Sequence, residues 1–284
     1  MSSEHILTLS SSDRPGIVAA ITTALAASGA NIREAQQYND VPTGGFFMRV
    51  LFDIDEGAVD GLRQRLAAPI AEFALDLTLR PRDQRKRVLI LVSKFDHCLG
   101  DLLYRNRLGE LPMDIVGIIG NHPREALTIS LLGDVPFHHL PVTRETKAEQ
   151  EAQIKQLVTQ TGADLVVLAR YMQILSDDLA GFLSGRCINI HHSFLPGFKG
   201  AKPYHQAHVR GVKLIGATAH FVTADLDEGP IIEQDVEPIT HADTPDDLVR
   251  KGRDIERRVL ARAVRLYVED RILLNGSKTV VFKH

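Results

Sequence analysis

Residues 5–10 alternate apolar and polar side chains, the period-two signature of a half-buried strand. The stretch that follows, SDRPGIVAAITTALAASGANI, reads as turn, helix and stop: Ser12 or Asp13 offers a cap, Pro15 suits the first turn, and Gly29 ends the run. Two further strands are expected over residues 32–38 and 46–54, joined by a turn holding Asn39, Pro42 and Gly44. From 58 to 73 the period becomes that of a helix, with Leu62, Leu66, Ile70 and Phe73 on one face. Residues 75–79 alternate once more, so residues 1–80 spell βαββαβ, the split ferredoxin-like unit.

The pattern breaks at RPRDQRKR, residues 80–87, which is charged and poor in apolar side chains; 81–86 is expected to be a linker. Beyond it, short apolar runs at 88–92, 115–119, 137–140, 165–168 and 188–190 alternate with segments of helical length. That predicts a second, Rossmann-like α/β domain over 87–284, a mostly parallel sheet with helices on both faces. A long helix is expected over 244–268, followed by a hairpin at Asn275–Gly276. In such sheets ligands bind beyond the carboxyl ends of the strands.

Composition changes this picture little. Hydrophobic residues make up 44% and charged residues 24%, with a formal net charge of −3, which argues for a globular chain without a global field for nucleic acid. The arginines between 250 and 271 read as a solvated helix face, because Asp254, Glu256 and Glu269 are interspersed. Two cysteines, Cys98 and Cys187, are too few for a disulfide framework and suit a reducing cytoplasm. No signal peptide is visible, and the apolar runs fall far short of a membrane span; neither a membrane nor a nucleic-acid partner is expected.

The chemistry concentrates where the apolar run 188–190 ends, in CINIHHSFLP. Asn189 and His191 are two apart, so on a strand both project to one side, at the sheet edge where α/β folds assemble their sites. Pro196 and Gly197 then turn the chain into a loop. The pair would serve equally to satisfy backbone groups in a buried turn. A second segment, GATAHFVTADLDEGPII at 216–232, reads as strand, tight acidic loop and returning strand, with Asp225, Asp227 and Glu228 beside Gly229. Those carboxylates form either a solvated hairpin tip or a partner that orients His191 and favours its charged form.

Competing chemistries find less support. Twelve histidines invite a metal, but there is no H-E-x-x-H and no paired C-x-x-C. Neighbours in the pairs His138–His139 and His191–His192 are expected to point in opposite directions on extended backbone. His97–Cys98 reads as a helix start with Cys98 packed, and no G-x-G-x-x-G follows a strand, so neither a metal nor a dinucleotide cofactor is expected.

Two resemblances sharpen these readings. DRPGIV at 13–18 with GANI at 29–32 resembles an ACT domain. That resemblance implies side-by-side pairing into a homo-oligomer, dimer or tetramer, and an amino-acid effector, glycine or methionine, near Asp13, Arg14, Pro15, Gly16 and Asn31; a purely oligomerising role is the alternative. NIHHSFLP with HFVTADLDEGPII resembles the folate-dependent formyltransferase family, whose motifs read Asn-x-His-Pro-Ser-x-Leu-Pro and x-Leu-Asp-x-Gly-Pro; His192 departs from the first.

The family's catalytic trio carries over to Asn189, His191 and Asp227. Its folate-contacting residues carry over to Met172, Gln173, Ile174 and Leu175, and to the acidic loop of Ala224, Asp225, Leu226, Glu228 and Gly229. An ACT domain ahead of such a domain is the arrangement of the family's hydrolytic branch. The implied reaction is hydrolysis of 10-formyltetrahydrofolate to formate and tetrahydrofolate, with the folate as substrate and no cofactor, feeding purine synthesis and balancing folate pools. The loop VSKFDHCLGDLL, 92–103, agrees: it places Lys94, Phe95, Asp96 and His97 where a phosphate-bearing acceptor would need glycine. Formyl transfer to an amine such as glycinamide ribonucleotide is the alternative.

Overall fold

The computed structural model describes residues 2–130, 132–195 and 203–283, in two compact units. The first contains β1 (Ser2–Ser12), α1 (Ile17–Ala27), β2 (Asn31–Asp40), β3 (Gly45–Asp55), α2 (Val59–Phe73) and β4 (Asp76–Pro81). Its strands form an antiparallel sheet in the order β2-β3-β1-β4, the βαββαβ arrangement expected. One face is apolar: Leu7 and Leu9 of β1 and Val50 and Phe52 of β3 pack against Ile21 and Leu25 of α1 and Leu62 and Leu66 of α2. Each such side chain, taken fully out of water, contributes roughly 1.5–3 kcal/mol. Gly16 stands at φ 102 ahead of α1, a left-handed conformation that L side chains resist and glycine adopts freely.

The second unit holds β5 (Lys86–Val92), α3 (His97–Arg107), β6 (Met113–Gly120), β7 (Phe137–His139), α4 (Lys147–Thr161), β8 (Leu165–Leu168), α5 (Asp177–Phe182), β9 (Cys187–His191), α6 (Pro203–Arg210), β10 (Leu214–Phe221), β11 (Ile231–Pro238) and α7 (Pro245–Val268). Among the described residues its sheet has seven strands in the order β11-β10-β9-β8-β5-β6-β7, parallel from β9 to β7 and antiparallel at β10 and β11. Val88–Val92 is wholly buried because helices cover both faces of a parallel sheet, which explains its unbroken apolar run. Ile154 and Val158 of α4 and Leu179 of α5 cover one face; α7 packs on β9, β10 and β11 and against α3. The chain leaves β5 first toward β6 and β7, then returns to add β8 and β9 on the other side. The crevice between diverging connections therefore opens at the carboxyl ends of β5 and β8.

One boundary differs from the sequence expectation. The second unit does not run to 284: residues 269–275 and the segment from Thr279 onward belong with the first unit. The reason is local chemistry. After α7 come β12 (Ile272–Asn275) and β13 (Lys278–Val281), the expected hairpin, with Gly276 at φ 60. Val280 and Phe282 cluster with Phe47 of β3. Arg271, expected on a solvated helix face, is instead buried, its guanidinium 3.1 Å from Glu34 Oε1, and Arg80 pairs with Asp270. The buried Arg49 donates to the Glu269 carbonyl at 3.1 Å. The loop foreseen at Pro196 and Gly197 lies outside the described residues.

Candidate active site

Strand register builds the centre. β9 and β10 are antiparallel, setting Asn189 opposite His220 and His191 opposite Thr218. The loop after β9 is pinned by Thr218, whose hydroxyl donates to the Ser193 carbonyl and accepts from the Leu195 amide, both at 3.0 Å. Asn189 and His191 line a cavity of about 850 Å³ at the carboxyl ends of β8 and β9. The loop following β10 folds back so that Asp227 Oδ1 lies 3.3 Å from His191 Nδ1 and 3.7 Å from His220 Nε2.

Protons can be assigned from these partners. His220 Nδ1 faces the Phe221 carbonyl at 2.9 Å and must donate to it. With that hydrogen on Nδ1, the lone pair of Nε2 can accept from the Asn189 amide nitrogen, 3.3 Å away, which directs the amide N–H₂ end into the site. His191 Nδ1–H faces Asp227, whereas His191 Nε2 is buried and has no hydrogen-bond partner among the described residues. A polar atom left unpaired costs roughly 1–3 kcal/mol, so it marks a place that a ligand atom fills. Burial by itself would raise the Asp227 carboxyl, but the hydrogen bond from His191 outweighs it and holds the group well below the usual carboxylate range. Asp227 sits at φ 58, a left-handed conformation that aspartate tolerates better than most residues.

The acidic loop closes by a steric device. A Cβ on Gly229 would lie 1.8 Å from the Phe221 carbonyl oxygen, so only glycine lets the two backbones approach; the Phe221 amide bonds the Pro230 carbonyl at 2.9 Å. Of the loop residues expected to contact folate, Ala224 and Leu226 are on the cavity wall with Asp227, whereas Asp225, Glu228 and Gly229 are not. The Asp225 carbonyl is engaged within the loop by the Thr223 hydroxyl at 3.0 Å. Met172, Gln173, Ile174 and Leu175 all line the cavity. Their segment is fixed by Ser93 Oγ accepting from the Met172 amide at 3.0 Å, and by the buried hydrogen bond from Gln150 to the Tyr171 hydroxyl at 2.6 Å.

Across the cavity lies a cluster that the sequence hid. Glu256 of α7, expected on a solvated face, has a side chain only 1% exposed. Its Oε1 accepts from the Tyr204 hydroxyl at 2.7 Å, and its Oε2 faces His97 Nε2 at 2.8 Å and Arg170 Nε at 3.3 Å. Burial would raise the Glu256 carboxyl, but the His97 hydrogen bond and the Arg170 charge prevail and hold it below its ordinary value. Arg170, at φ 64, also lies over the Phe95 ring at 5.7 Å. His192 corrects a second expectation. Strand β9 ends at His191, so alternation stops there, and the two rings stack with centroids 5.2 Å apart. Burial and the nearby Arg170 charge pull the His192 ring down to about 4.

Could this cluster hold a metal? Ligand atoms of His97, Cys98 and Glu256 lie within 4.8 Å of one another. Yet both Glu256 oxygens are engaged, Arg170 already supplies the compensating charge, and burial pushes the Cys98 thiol up, away from the thiolate a metal needs. Cys98 is packed at the start of α3.

Comparison with known proteins places this geometry. The ACT domain family matches residues 5–68, and the formyl transferase family matches residues 86–264. Formyltetrahydrofolate deformylase of Corynebacterium sp. (strain P-1) is 50% identical over 98% of this chain and 98% of its own, and that of Bacillus subtilis is 46% identical over 97% and 93%. The crystal structure of formyltetrahydrofolate deformylase from Burkholderia mallei matches with a TM-score of 0.94 at 50% identity, covering 99% of this chain and all of that one. Glycinamide ribonucleotide transformylase 1 from Symbiobacterium toebii gives 0.64 at 31% identity, covering 70% of this chain and 95% of its own. An ACT unit ahead of a formyl transferase unit, matched end to end, gives the assignment: the chain belongs to the formyltetrahydrofolate deformylase family.

Proposed function

We propose that this chain hydrolyses 10-formyltetrahydrofolate to formate and tetrahydrofolate, with Asn189, His191 and Asp227 as the catalytic residues. The observation that carries this reading is the buried His191 Nε2 on the cavity wall, without a partner among the described residues and backed on its other nitrogen by Asp227. In the reacting state both ring nitrogens of His191 carry hydrogen. Nδ1–H donates to Asp227, and Nε2–H and the Asn189 amide donate to the formyl oxygen. Each such donor, aimed at charge that develops only in the tetrahedral intermediate, is typically worth about 3–4 kcal/mol of barrier.

Water attacks the formyl carbon as Asp227 accepts its proton. Collapse of the intermediate breaks the bond from carbon to N10, and N10 takes up a proton as formate leaves. Every proton moves between side chains, water and substrate, so the scheme calls on no metal and no cofactor. The folate ring system docks between the 172–175 segment and the 222–226 loop, where Met172, Ile174 and Leu226 present exposed apolar surface beside the cavity. A cavity of about 850 Å³ is of the size that holds one extended organic ligand.

The same reading gives the first unit a sensing and oligomerising role, with glycine and methionine as candidate effectors at the turn from Asp13 to Gly16 and at Asn31. There the Arg14 guanidinium donates to the Glu72 carbonyl and stacks 5.1 Å from the Phe73 ring centre. The enzyme would act in the cytoplasm, supplying formate to purine synthesis and balancing one-carbon folate pools. Formate release from 10-formyltetrahydrofolate, with and without an amine acceptor, tests the central claim. Release without any amine is expected, and turnover only with the amine would replace hydrolysis by transfer.

A further inference from the structure

The cavity has two walls of different character. One is the apolar, loop-built side assigned above to the folate; the other is polar and built largely from helices. Tyr204, on α6, lies against α7 at Gly252, where a Cβ would stand 2.1 Å from the tyrosine ring. Glycine at 252 thus forms a recess for the ring, and Glu256, one turn further on the same face, takes the hydroxyl. His97 and Arg170 hold the same carboxylate from α3 and from the segment after β8. Between this cluster and the reaction centre stands His192, its ring stacked on His191 and 6.4 Å from that of Tyr204.

Such a cluster is costly to assemble. A carboxylate and a guanidinium are removed from water, and the penalty is offset only when every lone pair and hydrogen finds a partner. Nothing in the proposed chemistry on the trio requires it. Its placement has one effect: beyond His192, the side of the formyl carbon away from the folate faces Tyr204 and the buried Glu256 carboxylate that holds its hydroxyl.

We infer that Tyr204, seated on Gly252 and locked by Glu256, His97 and Arg170, is the acceptor wall of the site and limits attack on the formyl group to nucleophiles about the size of water. The inference rests on the hydrolysis reading and names what makes water the acceptor. Tyr204 is a specificity-determining residue, and Gly252, Glu256, His97 and Arg170 position it. With the wall opened, an amine reaches the same carbon. The amine nitrogen bonds to the formyl carbon, the bond to N10 breaks with its electron pair, N10 gains a proton and the amine loses one.

Hydroxylamine, O-methylhydroxylamine and O-benzylhydroxylamine form a size series of related nucleophiles. Formate and the formylated amine are quantified together, with the uncatalysed reaction subtracted. For the wild type, formylated product falls steeply with size and vanishes for the benzyl compound. Tyr204→Ala raises the share captured by O-benzylhydroxylamine at least ten-fold, the scale on which pocket fit separates substrates. Equal capture of small and large amines by the wild type overturns the inference, as does an unchanged partition in a folded Tyr204→Ala. If that variant fails to fold, Tyr204→Leu, smaller and still apolar, is read in the same way. Formate release by the wild type without any amine tests hydrolysis separately, so failure of that reading is distinguishable from failure of the wall.

Discussion

Replacing Asp227 by asparagine keeps the shape of the side chain and removes its charge, which separates chemistry from architecture. Asparagine accepts the left-handed φ of 58 as readily as aspartate, so the loop should hold its course. At 3.3 Å the attraction between the carboxylate and a charged His191 is about 5 kcal/mol for an effective dielectric near 20, before desolvation is subtracted. The variant also loses the group that takes the proton from water, an effect usually worth about 10²–10⁴ in rate. We therefore expect Asp227→Asn to lower kcat about 10³-fold, about 4 kcal/mol of barrier. Formate release, coupled to nicotinamide reduction by a formate dehydrogenase, measures kcat; folate fluorescence measures substrate binding, and a thermal melt checks the fold. KM and the melt should change little. A folded variant within about ten-fold of wild-type kcat would refute Asp227 as the proton acceptor.

Three further outcomes follow from the structure. Gly229→Ala forces a methyl group onto the Phe221 carbonyl, so differential scanning calorimetry should show melting lowered by ~5 °C or more, with activity falling as the Asp227 loop shifts. His192 is pulled down to about 4 when folded, below the histidine value near 6.5 in the unfolded chain. Between those values the unfolded state binds more protons, so stability rises with pH across the window and is lost as pH falls through it. His192→Phe should flatten the denaturation-derived stability profile between about pH 4 and 6.5, and an unchanged slope would exclude His192 as its source. Phe282→Ala empties a buried position beside Phe47 and should cost the first unit about 3 kcal/mol, seen as an earlier first transition in urea.

Sequence patterns predicted the site unevenly, for physical reasons. Asn189 and His191 stood out because the two-residue strand period sets their direction, and that period held up to the end of β9. His192 lies one residue past the end of the strand, where alternation no longer applies, so its ring stacks on His191 instead of turning away. Glu256 and Arg271 resembled surface residues because they occur among arginines; their burial depends on partners far along the chain, Arg170 and Glu34. His220 lies in a strand of small residues and gains its meaning only from antiparallel register with Asn189. The segment around β13 did carry a signal: Val280 and Phe282 are two apart, the spacing of one face of extended backbone, and both cluster with Phe47.

That last contact bears on how the protein can be made. The first unit draws its strands from the opening 85 residues but is complete only with residues 269–275 and those from Thr279 on. During synthesis on a ribosome, the part translated earlier must therefore wait for the part translated later before Phe47, Arg49 and Glu34 find their partners in Phe282, the Glu269 carbonyl and Arg271. A fragment cut at residue 85 would leave that wait unfinished. Separating the two units for study calls for grafting the final segment back onto the first through a designed connection, or for a circular permutant in which both halves of the first unit are contiguous.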